Sequence, residues 1–415
     1  MFKKIKPFSA YCMYDWANSP FSTVVITFIF ASYFEKAIVG DAEKASVLWG
    51  WAISISAILI ALISPFLGKL IDKNSSHKFW LILLTVFSSI GAVSLWFAYP
   101  SYKSVLLVCV VVVFSNLCYE LGCVVYNSLI PSFSIKDKIG DLSGKAWATG
   151  YLGGIVCLLI ILFGFVQAET PLFGIGKENA ANIRISGPIV AIWFIIFSLP
   201  LFYKIPKLKN SLVKNNNLFL EVINNLKNIL AYNSMGKFLF ARMIYTDGLN
   251  TLFAFGGLYA SGTFNMNFSE IIIFGILINI TAGLGALFFS YFDDKFGPKR
   301  IIIISLLFLI IIGTYTLFIS DKNIFLFFGS LLGFFIGSVQ ASSRSFMARF
   351  VKKGNNTETF GFFAISGKCT SFLGPAILAL VVTIYDSQRI GMSTIILFLL
   401  VGFVLMLKVP EPKSL

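Results

Sequence analysis

Twelve apolar stretches follow one another along the chain, each close to the roughly 20 residues an α-helix needs to cross about 30 Å of hydrocarbon. They lie near 9–34, 47–68, 79–99, 104–127, 143–166, 187–203, 238–262, 268–291, 300–319, 324–346, 358–384 and 390–407. Runs of that length and number predict an all-α integral membrane protein with twelve transmembrane helices. Composition agrees: 57% of residues are hydrophobic and 13% charged, against about a quarter charged in soluble domains. Strand alternation of about ten residues, the mark of an outer-membrane barrel, is absent. The six Cys all fall inside spans without ligand spacing, and the single His, His77, stands in a loop. The chain therefore reads as having no metal site, no cofactor and no enzymatic activity.

The net charge of +14 would point to nucleic acid in a soluble domain. Here its distribution gives topology instead. Sorted by alternate loops, 24 Lys and Arg fall on the side of the N-terminus and seven on the other, with Arg242 and Lys368 inside spans. The positive-inside rule then places both termini in the cytoplasm of a cell whose inner or plasma membrane holds the protein, and leaves no role for nucleic acid. The N-terminal run is too long for a cleavable signal, contains Asp15 and lacks a small-residue cleavage site. The longest polar interval, KIPKLKNSLVKNNN, divides six spans from six. The expected organisation is a six-helix bundle over 1–203, a linker over 204–236 with an amphipathic interfacial helix, and a second six-helix bundle over 237–415.

The halves repeat one another. Gly68-Lys-Leu-Ile-Asp72-Lys73 between spans 2 and 3 corresponds to Ser290-Tyr-Phe-Asp-Asp294-Lys295 between spans 8 and 9, 222 positions on. Asp15-x-x-Asn18 in span 1 corresponds to Asp247-x-x-Asn250 in span 7, and Tyr151 to Gly154 in span 5 to Phe372 to Pro375 in span 11. Parallel repeats of this kind imply a carrier whose halves expose a midplane solute site alternately to each side. An acidic residue at a short turn can bond a neighbouring helix end and latch one conformation, so Gly68, Asp72, Lys73, Asp294 and Lys295 are gate candidates.

The Gly-x-x-x-Asp-Lys turn resembles that of the major facilitator superfamily, although Ser75 and Ser290 stand where glycine is common. A narrower resemblance is to the vacuolar amino-acid effluxer (autophagy-related) family and its bacterial relatives. It is carried by Tyr14-Asp-Trp-Ala-Asn-Ser-Pro-Phe-Ser-Thr23, Tyr126-Asn-Ser-Leu-Ile-Pro131, Gly150-Tyr-Leu-Gly-Gly154, Tyr245-Thr-Asp-Gly248, Val339-Gln-Ala-Ser-Ser-Arg-Ser345 and Ser366-Gly-Lys-Cys-Thr-Ser-Phe-Leu-Gly-Pro375. The resemblance implies the two-bundle major facilitator fold, solute export or exchange, and a central cavity lined by spans 1, 4, 7 and 10.

Polar side chains inside hydrocarbon cost enough, about 2.5–3.5 kcal/mol for a charge at a helix centre, that each needs a reason. They concentrate in those four spans: Asp15 and Asn18; Glu120 and Asn127; Arg242, Asp247 and Asn250; Gln340 and Arg344. Asp15 and Asn18 share a helix face, as do Asp247 and Asn250. Asp15, Glu120 and Asp247 lie near mid-membrane by their distance from flanking cations. These carboxylates either contact solute or protons, or pair with Arg242, Arg344 or Lys368 to hold the halves. Arg242, Arg344 and Lys368 are placed as gate residues, Tyr14, Trp16 and Tyr245 as cavity aromatics or packing residues. The glycines of spans 5 and 10 are placed as helix contacts. The expected function is alternating-access transport of a small polar solute by a monomer, with amino acids the implied class and proton coupling open. The alternatives are a facilitator or multidrug-type exporter of amphipathic cations and a non-transporting receptor or scaffold.

Overall fold

A computed structural model describes residues 5–134, 138–206, 217–231, 233–351 and 355–411. Lys3, Lys4, Lys136, Lys207, Lys209, Lys214, Lys352, Lys353 and Lys413, counted above for topology, lie outside the described residues. Every regular element among the described residues is a helix. In hydrocarbon only a helix satisfies its own backbone, and these sequences have no alternative there.

Among the described residues eleven helical stretches are long and apolar enough to span: Pro7–Val39, Ala42–Asn74, His77–Phe97, Tyr102–Ser128, Ile139–Val166, Glu178–Lys204, Glu270–Phe296, Pro298–Phe318, Lys322–Ala348, Asn356–Tyr385 and Gln388–Leu407. Eight of the twelve expected segments lie wholly inside them, and spans 3, 8 and 9 match to within two residues at one end. The remaining one, span 7, is the helix Ser234–Phe264, 31 residues long; Lys237, Arg242, Asp247 and Asn250 dilute its apolar run. Large apolar side chains such as Leu106 and Phe318 point outward, 74% and 77% exposed, as a lipid-facing surface requires.

The chain forms two compact units. One comprises Met1–Ile60, Ser76–Tyr126 and Thr149–Leu208; the other comprises Ala61–Ser75, Asn127–Ala148 and Lys209–Leu415. Within the second unit, therefore, the lower part of span 2 and the connection from span 4 into span 5 pack with the last six spans. The linker helix, Leu218–Leu230, starts on an Asn217 cap and buries Val222 and Ile229 in this unit.

Two local devices fasten the first unit. Pro20 closes the first helical segment of span 1, Pro7–Pro20, and the ladder runs on as a π-helix over Phe21–Phe28. Proline has no N–H to give the carbonyl four residues back, that of Trp16. The Trp193 indole N–H of span 6 bonds that oxygen instead, at 3.1 Å, while the two indoles stack 5.5 Å apart. At the start of span 6, buried Arg184 donates to the carbonyls of Trp96 (2.5 Å) and Asn179 (2.9 Å) and lies over the rings of Trp96 and Tyr99. The second unit repeats this clamp. Arg389, at the start of span 12, donates to the carbonyls of Leu317 and Ile319 at 2.8 and 2.7 Å.

Candidate functional site

The acidic turns come first, since the repeat singles them out. Span 2 runs as an unbroken helix from Ala42 to Asn74 and carries Asp72 in its last turn. The Asp72 carboxylate accepts the backbone N–H groups of Thr357 (3.0 Å) and Glu358 (2.9 Å), the first residues of span 11. Four N–H groups at a helix start lack partners within the helix, and an anion there meets the positive end of the helix dipole. Asp294, in the last turn of span 8, does the same for span 5: it accepts the N–H groups of Gly140 (2.7 Å) and Asp141 (2.8 Å).

The cations at the two turns are not the ones the motif suggests. Lys73 is half-buried and Lys295 exposed; among the described residues neither forms an ion pair. At the first turn the buried cation is Lys69, one helical turn before Asp72 and 5% exposed. Its ammonium lies 2.9 Å from Glu221 and 3.4 Å from Glu358. At the second turn Arg349 reaches both Asp293 and Asp294 at 3.0 Å, and buried Asp293 also accepts from Ser345 at 2.7 Å. In the sequence Lys69 and Arg349 stand only among the loop cations that set topology, and nothing there gives Glu221 or Glu358 a role. Lys69 stands three residues from Asp72, and that spacing is the one signal that places them together.

Gly68 fits its place by having no side chain. A methyl group there would stand 2.6 Å from the Thr357 carbonyl oxygen. Arg344 of span 10 donates to Ser143 Oγ (3.0 Å), the Ser143 carbonyl (2.7 Å) and Asn127 Oδ1 (3.3 Å), so it ties span 10 to the segment opening span 5. Arg242 donates to the Phe363 carbonyl and Ser366 Oγ of span 11, at 2.7 and 2.6 Å. Lys368 ends the first part of span 11.

The mid-span carboxylates form a second set, one pair in each unit. In the first, Asp15 and Asn18 are buried, and Ser19 Oγ bonds the Asp15 carbonyl at 2.8 Å against Gly150 of span 5. In the second, Asp247 is 2% exposed and Thr251 Oγ1 bonds its carbonyl at 2.8 Å against Gly374 of span 11. The repeat thus extends to Asp-x-x-Asn-Ser/Thr, each copy seated on a glycine. Only the second copy faces a broken helix. Span 11 stops at Lys368 and resumes at Leu373, with Pro375 unable to supply an N–H across the gap. Thr370 and Gly374 of that break lie near the Asp247 carboxylate, whose Oδ1 has no hydrogen-bond partner among the described residues.

Glu120, Asn127, Gln340 and Asn250 are half-buried on their spans. Tyr14 and Tyr245 are packing residues rather than open walls. Tyr14 is 1% exposed, bonded to Thr85 Oγ1 and packed on Tyr126; Tyr245 is equally buried and bonded to Ser343 Oγ. Trp16 is half-buried against Trp193.

Comparison with known proteins fits this geometry. Residues 44–415 match the family described as vacuole effluxer Atg22 like. The chain is 25% identical over 420 residues to the Bacillus subtilis MFS-type transporter YxiO, covering 98% of this chain and 95% of the relative. It is 22% identical over 393 residues to autophagy-related protein 22 of Kluyveromyces lactis, covering 85% of this chain and 77% of that protein. Among solved structures, the MFS transporter FucP in its outward conformation superposes with a TM-score of 0.76 at 13% identity, over 99% of this chain and all of that one. The proton:xylose symporter XylE gives the same score at 12% identity, over 98% and 96%. Both share the fold.

Proposed function

Because the chain belongs to the vacuole effluxer Atg22-like family and is a transporter of the major facilitator fold, we propose that it carries a small polar solute, of the amino-acid class, in exchange for or together with protons. The observation that supports this most is Asp247, a buried carboxylate with one oxygen unbonded beside the break in span 11. Breaks of this kind expose backbone groups at membrane depth where solutes and ions bind. In this reading, when Asp247 takes a proton, the nearby Gly374 backbone and the Thr370 hydroxyl become available to solute. Asp15 and Glu120 are the mid-span carboxylates of the first half.

The two acidic turns act as the gate of the basic-loop side, which faces the cytoplasm. With Asp72 and Asp294 bonded to the starts of spans 11 and 5, that side is shut. Opening breaks four charge-assisted bonds together.

The test is amino-acid flux into proteoliposomes under an imposed pH gradient. Wild-type protein accumulates solute, and Asp247→Asn retains exchange of solute for solute while losing the response to the gradient. If Asp247→Asn and Glu120→Gln both leave gradient-driven uptake intact, proton coupling through these residues is wrong. Efflux of cationic dyes without competition from amino acids would replace the solute class.

A further inference from the structure

The Lys69–Glu358 pair at the first acidic turn is loose at 3.4 Å and deeply buried on both sides, 5% and 2% exposed. Buried partners need better than that: each remaining donor and acceptor must be met, and Asp72 adds a second negative charge beside Glu358. The linker helix adds a partner to each, beside the Asn355 Oδ1 that lies 3.5 Å from the Lys69 ammonium. Its Glu221 lies 2.9 Å from the Lys69 ammonium, and its Asn225 amide donates to the other Glu358 oxygen at 2.7 Å. Glu221 and Asn225 stand four residues apart and so project from one helix face. Two residues before Glu221, Phe219 stacks on Phe66 of span 2, rings 5.5 Å apart and 12° from parallel.

We propose that the linker helix is a working part of the gate, in which Glu221 and Asn225 are positioning residues that hold Lys69 and Glu358 in the shut arrangement. The linker then does more than join two halves: whatever draws Leu218–Leu230 off span 2 removes an acceptor from a buried ammonium and a donor from a buried carboxylate, and favours opening. Among the described residues the second acidic turn has no such third party from the linker: Arg349 pairs with Asp293 and Asp294. This inference rests on reading the acidic turns as a gate.

The experiment uses the full chain with its six native Cys replaced by Ala, in inverted membrane vesicles, and a membrane-impermeant maleimide as probe. Single reporters are Ser128→Cys, beside the first turn, and Ser143→Cys, beside the second; both serines are fully buried. Glu221→Gln and, independently, Asn225→Ala should speed labelling about tenfold at both reporters, with Asp72→Ala as the positive arm. Faster labelling at both, by protein that elutes as a single folded peak, supports the latch. A rise at Ser128→Cys alone means the linker helix merely covers its neighbours, and overturns it. If Asp72→Ala opens both reporters and neither linker variant does, the latch fails and the gate stands; if Asp72→Ala opens neither, both fail.

Discussion

The two acidic turns reach the same bond by opposite means. Asp72 and Asp294 each cap the start of a helix from the other sequence half with two N–H bonds of 2.7–3.0 Å. Around the first, the buried outlier is a cation, Lys69, met by acids from span 11 and the linker helix. Around the second the outlier is an anion, Asp293, met by Arg349 and Ser345. The close-packing residue has also changed sides. Gly68 of the first turn meets the Thr357 backbone, whereas the second turn has Ser290 and the glycine stands opposite, at Gly144, where an added methyl would lie 2.4 Å from Ser290 Cβ. A repeat therefore preserves an interaction without preserving the residues that make room for it.

The largest expected effect separates the two cations. Lys69→Met leaves Glu358 buried without its cation and should cost about 3–5 kcal/mol, read as a lowered unfolding midpoint in detergent. Arg349→Met should cost less, about 2–3 kcal/mol, because Arg349 is partly exposed and both aspartates keep other donors. Equal losses would mean that burial does not set the difference. Next comes the exchange of small residues: Gly68→Ser should cost about 1–3 kcal/mol by overpacking, and Ser290→Gly under about 1 kcal/mol by the same melt. The reverse order would remove the argument that the glycine moved across the contact. The smallest effect belongs to the motif cations themselves. Lys73→Ala and Lys295→Ala should each stay within about 0.5 kcal/mol of wild type, and a larger shift in either would restore them to the gate.

The helices and the repeat were legible because both are local: apolar run length, an Asp at a fixed offset, Asp-x-x-Asn on one face. Asp72 and Asp294 could be read as anions seeking a helix start, since their place at a turn announces it. Lys69, Glu221, Asn225 and Glu358 could not be joined, because their partners are separated by up to 289 positions and each looks like an ordinary surface polar group. For Tyr14 and Tyr245 the sequence leaves cavity wall and packing both open, and the fold favours packing. An aromatic beside an intramembrane Asp suggests a wall of the pathway, yet each hydroxyl finds a buried Thr or Ser and the ring packs inside its unit. Span 11 reads in the sequence as one stretch over 358–384, and only the fold shows its break and sets it beside Asp247.

The arginine clamps bear on the order in which the chain is made. Arg184 fastens span 6 to the end of span 3, and Arg389 fastens span 12 to the end of span 9. In each half the last helix to leave the ribosome carries the tie that secures it to helices already inserted, so one face of each half is complete as soon as its own synthesis ends. On the opposite face span 5 has to wait, because its cap Asp294 arrives with span 8, whereas Asp72 is already present when span 11 is made. A ribosome stalled after span 6 would therefore leave a half-protein with its Arg184 clamp present and the amides of Gly140 and Asp141 without the Asp294 carboxylate.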